Sequence, residues 1–429
     1  MKLIKSLILT VSLSLLCGIV LATDLPSTQA EKVGMSSDRL DRITAMSQRY
    51  VDEGKLAGVI TMVARKGKLV HFEAVGQKGA DDPRPLKKDD LFRIYSMSKP
   101  ITAAAAMQLY EQGKFQLSDP VHKFVPELKE LKVLSDDGTM VPVETPMTMH
   151  QLLTHTTGLS YGFDPANDQV DTFYQNANIW KTKDLDEFAT VVAQLPLKFE
   201  PGSKWHYSIA VDITGLVIQR LSGMPFDQYL SEHIFQPLDM EDTFFQVPED
   251  KASRFLPNHY WDAKNKKLAT LGTQQDSAMS NYSSVSLYSG GGGLVSSAMD
   301  YMRFAEAMRN GGILNGQRIL SEKTVNYMAR NHLAANISAS GLGESPSGTA
   351  EARGFGFGLG FGVVTNAVNH GVMGSDGEFN WGGAAGTVFW IDPVEEIVVV
   401  GMIQLMGSPW ALRSDLKVGT YQAITESYE

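Results

Sequence analysis

Runs of β-branched and aromatic residues long enough for strands stand at both ends of this chain, with mostly helical sequence between them. This separation is the strongest constraint on the fold, because buried strands must pair their backbone N–H and C=O groups. Gly58 to Ala64 and Leu69 to Val75 form a front pair, with Lys66-Gly67 as the hairpin turn. Gly356 to Val364, Gly386 to Ile391 and Ile397 to Leu405 form a back group. Leu40, Ile43, Met46 and Val51 recur at helical spacing over 37–53, with Ser36, Ser37 and Asp38 as capping choices. Residues 411–427 read as a closing helix. The expected fold is α/β (α+β): one antiparallel sheet assembled from both chain ends, flanked by helices, with a mostly helical inserted subdomain. The sheet part covers about 37–95 and 290–429, the helical part about 96–289, and a cleft between them is a natural site. Helices are expected at 97–113, 148–155, 184–195, 209–222, 226–235 and 298–310.

The first residues read as a signal peptide, residues 1–22. Lys2 and Lys5 precede an apolar run from Leu7 to Leu21, and Val20-Leu21-Ala22 suits cleavage after Ala22. The run is short for a membrane anchor. Cys17 makes a poor lipoprotein acceptor behind the bulky Leu16. Residues 23–429 would then form one exported unit, periplasmic or secreted, with no stable membrane span. Cys17 is the sole cysteine, so the mature chain would have neither disulfides nor thiol chemistry. The chain carries 38 Lys plus Arg against 48 Asp plus Glu, a formal charge of −10, without a basic patch. Nucleic acid is therefore a poor partner.

Three clusters can carry chemistry. In Ser96-Met97-Ser98-Lys99 a three-residue step returns Lys99 to the face of Ser96. A serine hydroxyl needs a base, and a lysine serves once its pKa falls from about 10.4 to about 7–8. On pattern alone an ordinary helix N-cap is the better reading of Ser96, while the strand-like run ending in Tyr95 before it raises the case for a nucleophile. The same pattern at Ser414-Asp415-Leu416-Lys417 reads as a solvated helix face. Tyr207, after Pro201-Gly202-Ser203-Lys204-Trp205-His206, offers a proton-relaying phenol or a core anchor. Trp381-Gly382-Gly383-Ala384 offers close backbone approach for an oxyanion donor, or simply a tight turn into the next strand. Gly158-Leu159-Ser160-Tyr161-Gly162 matches a nucleophile elbow, but a helix precedes it and a loop follows, the reverse of what that motif needs. The scattered histidines, with His150 and His155 five apart, point to no metal site. The glycine run Gly290 to Gly293 lacks the following Lys-Ser/Thr of a phosphate loop. No cofactor is expected.

Taken in order, these residues resemble the serine β-lactamase and penicillin-binding superfamily, and most closely class C β-lactamases and family VIII carboxylesterases. Further markers are Leu152-Leu153-Thr154-His155-Thr156-Thr157-Gly158-Leu159, Ile234-Phe235-Gln236-Pro237-Leu238 with Met240, and Gly292-Gly293-Leu294-Val295-Ser296. The resemblance implies Ser96 as acylated nucleophile, Lys99 as base and Tyr207 as partner proton carrier. It implies the N–H groups of Ser96 and Ala384 as oxyanion hole, with Trp381, Gly382 and Gly383 lining the substrate. A rival Tyr174-Gln175-Asn176 lacks the Pro-Gly-x-x-Trp lead-in.

Two departures bear on substrate. Ile209 stands where β-lactamases of this pattern carry an amide-binding Asn, and Trp381 where they carry a carboxylate-binding Lys. Loss of such contacts weakens binding of a β-lactam. The expected activity is therefore a carboxylesterase acting on short acyl esters through a Ser96 acyl-enzyme. A class C-like β-lactamase or D-Ala-D-Ala carboxypeptidase is the alternative, and a non-catalytic penicillin-binding-like protein the weaker third.

Overall fold

A computed structural model describes residues 25–271, 282–339 and 353–428. The expected signal peptide and Cys17 lie outside the described residues. An eight-stranded, fully antiparallel sheet runs in the order Phe355–Phe357, Gly362–Val364, Phe379–Gly382, Val388–Asp392, Ile397–Met402, Gly58–Arg65, Lys68–Gly79, Asp82–Pro85. The two chain ends meet where Ile60 pairs Met402 and Arg65 pairs Ile397. The hairpin turn falls at Lys66 and Gly67, both with positive φ (54° and 72°).

The two faces of the sheet explain its sequence. Val59, Val63, Trp390, Ile397 and Val399 pack on one side beneath the helices Ser37–Asp52 and Leu412–Tyr421. Ile60, Met62, Phe389, Val398 and Val400 face the other side, toward the helix Ala298–Arg309 and the helical part of the chain. A strand covered on both faces reads as a continuous apolar run, as Ile397–Met402 does. The helices Ser98–Glu111 and Ala210–Ser222 pack against each other at the centre of the helical part. Among the described residues, no helix is long and apolar enough to cross a membrane.

Three expectations need correction. Gly356 to Val364 is a hairpin, not one strand, because Gly360 turns the chain at φ 87°. Trp381 and Gly382 lie inside a strand rather than in a turn before one, since Phe379–Gly382 pairs with Val388–Asp392 in the register Trp381 to Phe389. The turn itself is Gly383 to Thr387. Ser414 to Lys417 is also not a solvated face. Lys417 is buried and donates to both oxygens of Glu378, at 2.5 and 2.6 Å. The Tyr421 hydroxyl lies 3.1 Å from Glu378 and 2.8 Å from Asp392. This pair fastens the closing helix to the sheet.

Removing one partner of a buried ion pair strands the other charge. Lys417→Met should therefore lower unfolding stability by about 3–5 kcal/mol, read from denaturant midpoints at constant slope. A midpoint equal to wild type would show that the closing helix does not depend on the pair.

Candidate active site

The site is assembled by a short ladder that joins sequence-distant loops. Leu91–Arg93 pairs antiparallel with Val295–Ser297, Leu91 opposite Ser297 and Arg93 opposite Val295. Ile94 N–H then donates to Leu294 C=O at 3.1 Å, and Leu294 N–H to Ser98 Oγ at 3.1 Å. The glycine run Gly290 to Gly293 is thereby held against the turn that carries Ser96.

That turn is sharp. Tyr95 has φ 42°, a left-handed conformation that costs a bulky residue energy. A 3₁₀ turn, Tyr95–Met97, follows, and the helix Ser98–Glu111 continues from it. The strand, left-handed residue and helix in succession present Ser96 at the head of the helix.

Lys99 lies one turn on, buried, with Nζ 3.2 Å from Ser96 Oγ and donating to Gly291 C=O at 2.6 Å. The glycine run can approach this closely only without side chains. A methyl at Gly290 would stand 2.7 Å from Val211 C=O, and one at Gly291 would stand 2.5 Å from Asp212 Oδ2. Burial lowers the Lys99 pKa to about 7, against the opposing pull of the Asp212 carboxylate. An amine that is substantially neutral near pH 7, beside a hydroxyl, can take its proton.

Aromatic rings close the space above the amine. Lys99 Nζ lies 4.4 Å from the Tyr207 ring centroid and 5.1 Å from that of Tyr161. Trp381 is buried, and its indole N–H donates to the Tyr207 hydroxyl at 3.4 Å. Beneath Tyr207 lies His155, its ring 4.8 Å away and its backbone left-handed at φ 56°. Ser208 N–H donates to His155 Nδ1 at 3.3 Å, which leaves the proton on Nε2. Burial, with Lys99 nearby, holds this imidazole neutral by pushing its pKa well below the ordinary value.

Gly383 is packed where no side chain fits. A methyl there would meet Thr387 Oγ1 at 2.2 Å and Ile94 C=O at 2.5 Å. This contact brings the end of the strand Phe379–Gly382 to the Ser96 turn, with Ala384 exposed beside it. Gly382, Gly383 and Ala384 also line a cavity of about 300 Å³ that continues past Thr387, Trp410 and Arg413.

The residues singled out from sequence thus converge: Ser96, Lys99, Tyr207, Trp381 and Gly383 are neighbours. Ile209 is wholly buried at the start of the helix Ala210–Ser222. Ser160 follows the helix Met149–Thr154 in irregular chain, and its hydroxyl is spent on the Asp171 carboxylate. Tyr174 is buried in the helix Gln169–Asn176, beside Gly162. Sequence reasoning missed Gly291, Asp212, Tyr161 and a role for His155. The glycines were visible as a run, but nothing local announced that a carbonyl among them receives the lysine.

Comparison with known proteins identifies the family. A family model described as Beta-lactamase matches residues 43–421. Esterase EstB from Burkholderia gladioli is 32% identical over 365 residues, covering 82% of this chain and 86% of its own. Lovastatin esterase from Penicillium rubens is 28% identical over 390 residues, covering 86% of this chain and 94% of its own. Among solved structures, "EstCE1, a hydrolase with promiscuous acyltransferase activity" superposes with a TM-score of 0.74 at 25% identity, over 91% of this chain and 99% of that one.

The packing of Gly383 generates a test. Gly383→Ala should force the strand end away from Ile94 and slow covalent labelling of Ser96 by a fluorophosphonate between about tenfold and a hundredfold. Mass spectrometry of the labelled protein reads the rate, and unchanged labelling would show that the close approach is dispensable.

Proposed function

The chain belongs to the β-lactamase family of serine hydrolases, and from that premise we propose that it is an exported carboxylesterase that cleaves short acyl esters through an acyl-enzyme on Ser96. The observation that carries the reading is Lys99 Nζ at 3.2 Å from Ser96 Oγ, in surroundings that hold its pKa at about 7.

Ser96 Oγ attacks the ester carbonyl carbon as its proton passes to Lys99. The carbonyl oxygen gains the negative charge and is stabilised by the N–H groups of Ser96 and Ala384, fixed donors that need no reorganisation. The C–O bond to the alcohol breaks, and the alcohol leaves with a proton relayed through Tyr207. Water, deprotonated by the same pair, then attacks the acyl carbon and frees the acid and Ser96. Gly382 and Gly383 line the acyl-binding wall.

An ester is favoured over a β-lactam by what surrounds Tyr207. Where the lysine of a β-lactam site would reach the substrate carboxylate, Trp381 is buried and turned to the Tyr207 hydroxyl. No side chain at that position offers a charge to a carboxylate. The name of Esterase EstB, 32% identical, supports the same choice. Export to the periplasm or medium rests on the signal-like residues 1–22.

On one purified sample, kcat/KM for 4-nitrophenyl butyrate should exceed that for a chromogenic cephalosporin by at least about a hundredfold, the scale on which one lost charged contact discriminates. A preference for the cephalosporin would replace the esterase reading with the β-lactamase one. Ser96→Ala should abolish turnover while Ser160→Ala retains most of it, and the reverse pattern would overturn the assignment of the nucleophile. Because the base must be unprotonated, activity should rise with pH through about 7, the Lys99 value.

A further inference from the structure

Beneath Lys99 lies a carboxylate that the reaction scheme above does not use. Asp212 is 1% exposed, in the first turn of the helix Ala210–Ser222, five residues after Tyr207. Its Oδ1 accepts from the Ser289 hydroxyl and from Gly291 N–H at 3.0 Å. Gly291 is the residue whose carbonyl receives Lys99 Nζ at 2.6 Å. Oδ2 meets no donor at full hydrogen-bond geometry among the described residues, but the Tyr161 hydroxyl stands close enough to interact with the carboxylate as a donor. Oδ2 lies against Gly291, where an added methyl would meet Asp212 Oδ2 at 2.5 Å and the Tyr161 hydroxyl at 2.7 Å.

A buried carboxylate is costly and is retained where its charge does something. Here one glycine residue links it to the amine, its N–H on the carboxylate and its carbonyl on Lys99. Anchoring the N–H of Gly291 fixes that residue in the loop, and with it the carbonyl that holds Lys99. Burial raises the Asp212 pKa, against Lys99, the Ser289 hydroxyl and the Gly291 N–H, which stabilise its charge; that charge in turn favours the ammonium form of Lys99, opposing the burial that favours the neutral amine.

We propose that Asp212 is the positioning residue for Lys99: through Gly291 it fixes the amine beside Ser96, and by its charge it sets the pH at which that amine becomes a base. The proposal rests on reading Ser96 as nucleophile and Lys99 as its base. The other titratable groups facing this pair are Tyr161 and Tyr207, whose rings cover Lys99, and His155 beneath Tyr207. Burial pushes the Tyr161 hydroxyl well above its ordinary range, with Asp212 adding to the effect. His155 is held neutral by burial. Tyr161 and His155 thus supply no charge near neutral pH, and Asp212 is the carboxylate that acts on Lys99.

The test follows the rate of fluorophosphonate labelling of Ser96 from about pH 5 to 9, which reports nucleophile activation without assuming a substrate. In this reaction Ser96 Oγ bonds to phosphorus, fluoride leaves with the P–F electron pair, and the hydroxyl proton goes to Lys99. Asp212→Asn keeps an acceptor for Ser289 and Gly291 but removes the charge. Its acid limb should move down by about one pH unit, with the plateau within a few-fold of wild type. Asp212→Ala removes the acceptor as well, and its plateau should fall by about a hundredfold. Ser289→Ala weakens the carboxylate's hold on its charge and should move the limb in the same direction by less. Where Asp212→Asn yields no folded protein, Ser289→Ala decides alone. An acid limb that stays at the wild-type pH in the folded variants overturns the proposal, even if the plateau falls, because a purely structural residue would lower the rate equally at every pH. Absence of labelling on wild-type Ser96 would instead overturn the nucleophile assignment, and this proposal with it.

Discussion

Burial of one amine is the constraint on which the rest of this architecture depends. A lysine in water holds its proton to about pH 10.4 and cannot serve as a base at neutral pH. Enclosed among Tyr161, Tyr207 and the glycine run, Lys99 loses most of the hydration that stabilises its charge. Complete enclosure would also remove its partners, and an amine with unsatisfied hydrogens would not stay beside Ser96. The Gly291 carbonyl meets that need without adding a full negative charge at contact distance. Lys99 is therefore dry enough to be neutral and tethered enough to be placed.

The fold supplies the parts of this site from five places in the chain, Tyr161 coming from the irregular segment after the helix Met149–Thr154. Ser96 and Lys99 come from the turn after Leu91–Arg93, and Gly291 from the loop before Val295–Ser297. Tyr207 comes from the start of the helix Ala210–Ser222, and Trp381 from the sheet. The ladder between Leu91–Arg93 and Val295–Ser297 is only three residues long, yet it sets the distance between Lys99 and its acceptor carbonyl. The large sheet fixes the other side. Because Phe379–Gly382 is hydrogen-bonded along its length to Val388–Asp392, Trp381 is held rigidly against Tyr207. Elements of regular structure position such groups more narrowly than free loops do.

Much of this was legible in sequence, for identifiable reasons. The helix beginning at Ser37 was readable because its apolar spacing and its capping serine agree. The sheet built from both ends was readable because its inner strands are buried on both faces and carry unbroken apolar runs. Trp381-Gly382-Gly383 misled because adjacent glycines signal a turn, while here Gly382 still belongs to the paired strand and the turn starts at Gly383, which packs closely against Ile94. Asp212 was not legible at all. A lone acidic residue in a helical segment reads as a solvated side chain, and only the fold reveals that it lies under the glycine loop. Likewise, the neutral state of His155 depends on burial among Trp205, Tyr207 and Phe357, rings drawn from two separate stretches of chain.

The chain also contains its own control on what a short motif can specify. Ser-x-x-Lys occurs at Ser96 and again at Ser414, and both lysines are buried on helices. Burial pushes both pKa values down. The difference lies in the first partner. Lys417 is gripped by both oxygens of the Glu378 carboxylate, at 2.5 and 2.6 Å, an arrangement that stabilises the ammonium and leaves no lone pair to accept a proton. Lys99 meets a neutral carbonyl and a hydroxyl, with the Asp212 carboxylate reaching it only across one glycine residue. Identical residue types at identical spacing therefore yield a structural clamp in one place and a poised base in the other. What separates the two is whether a carboxylate reaches the amine directly or only through the backbone of a glycine.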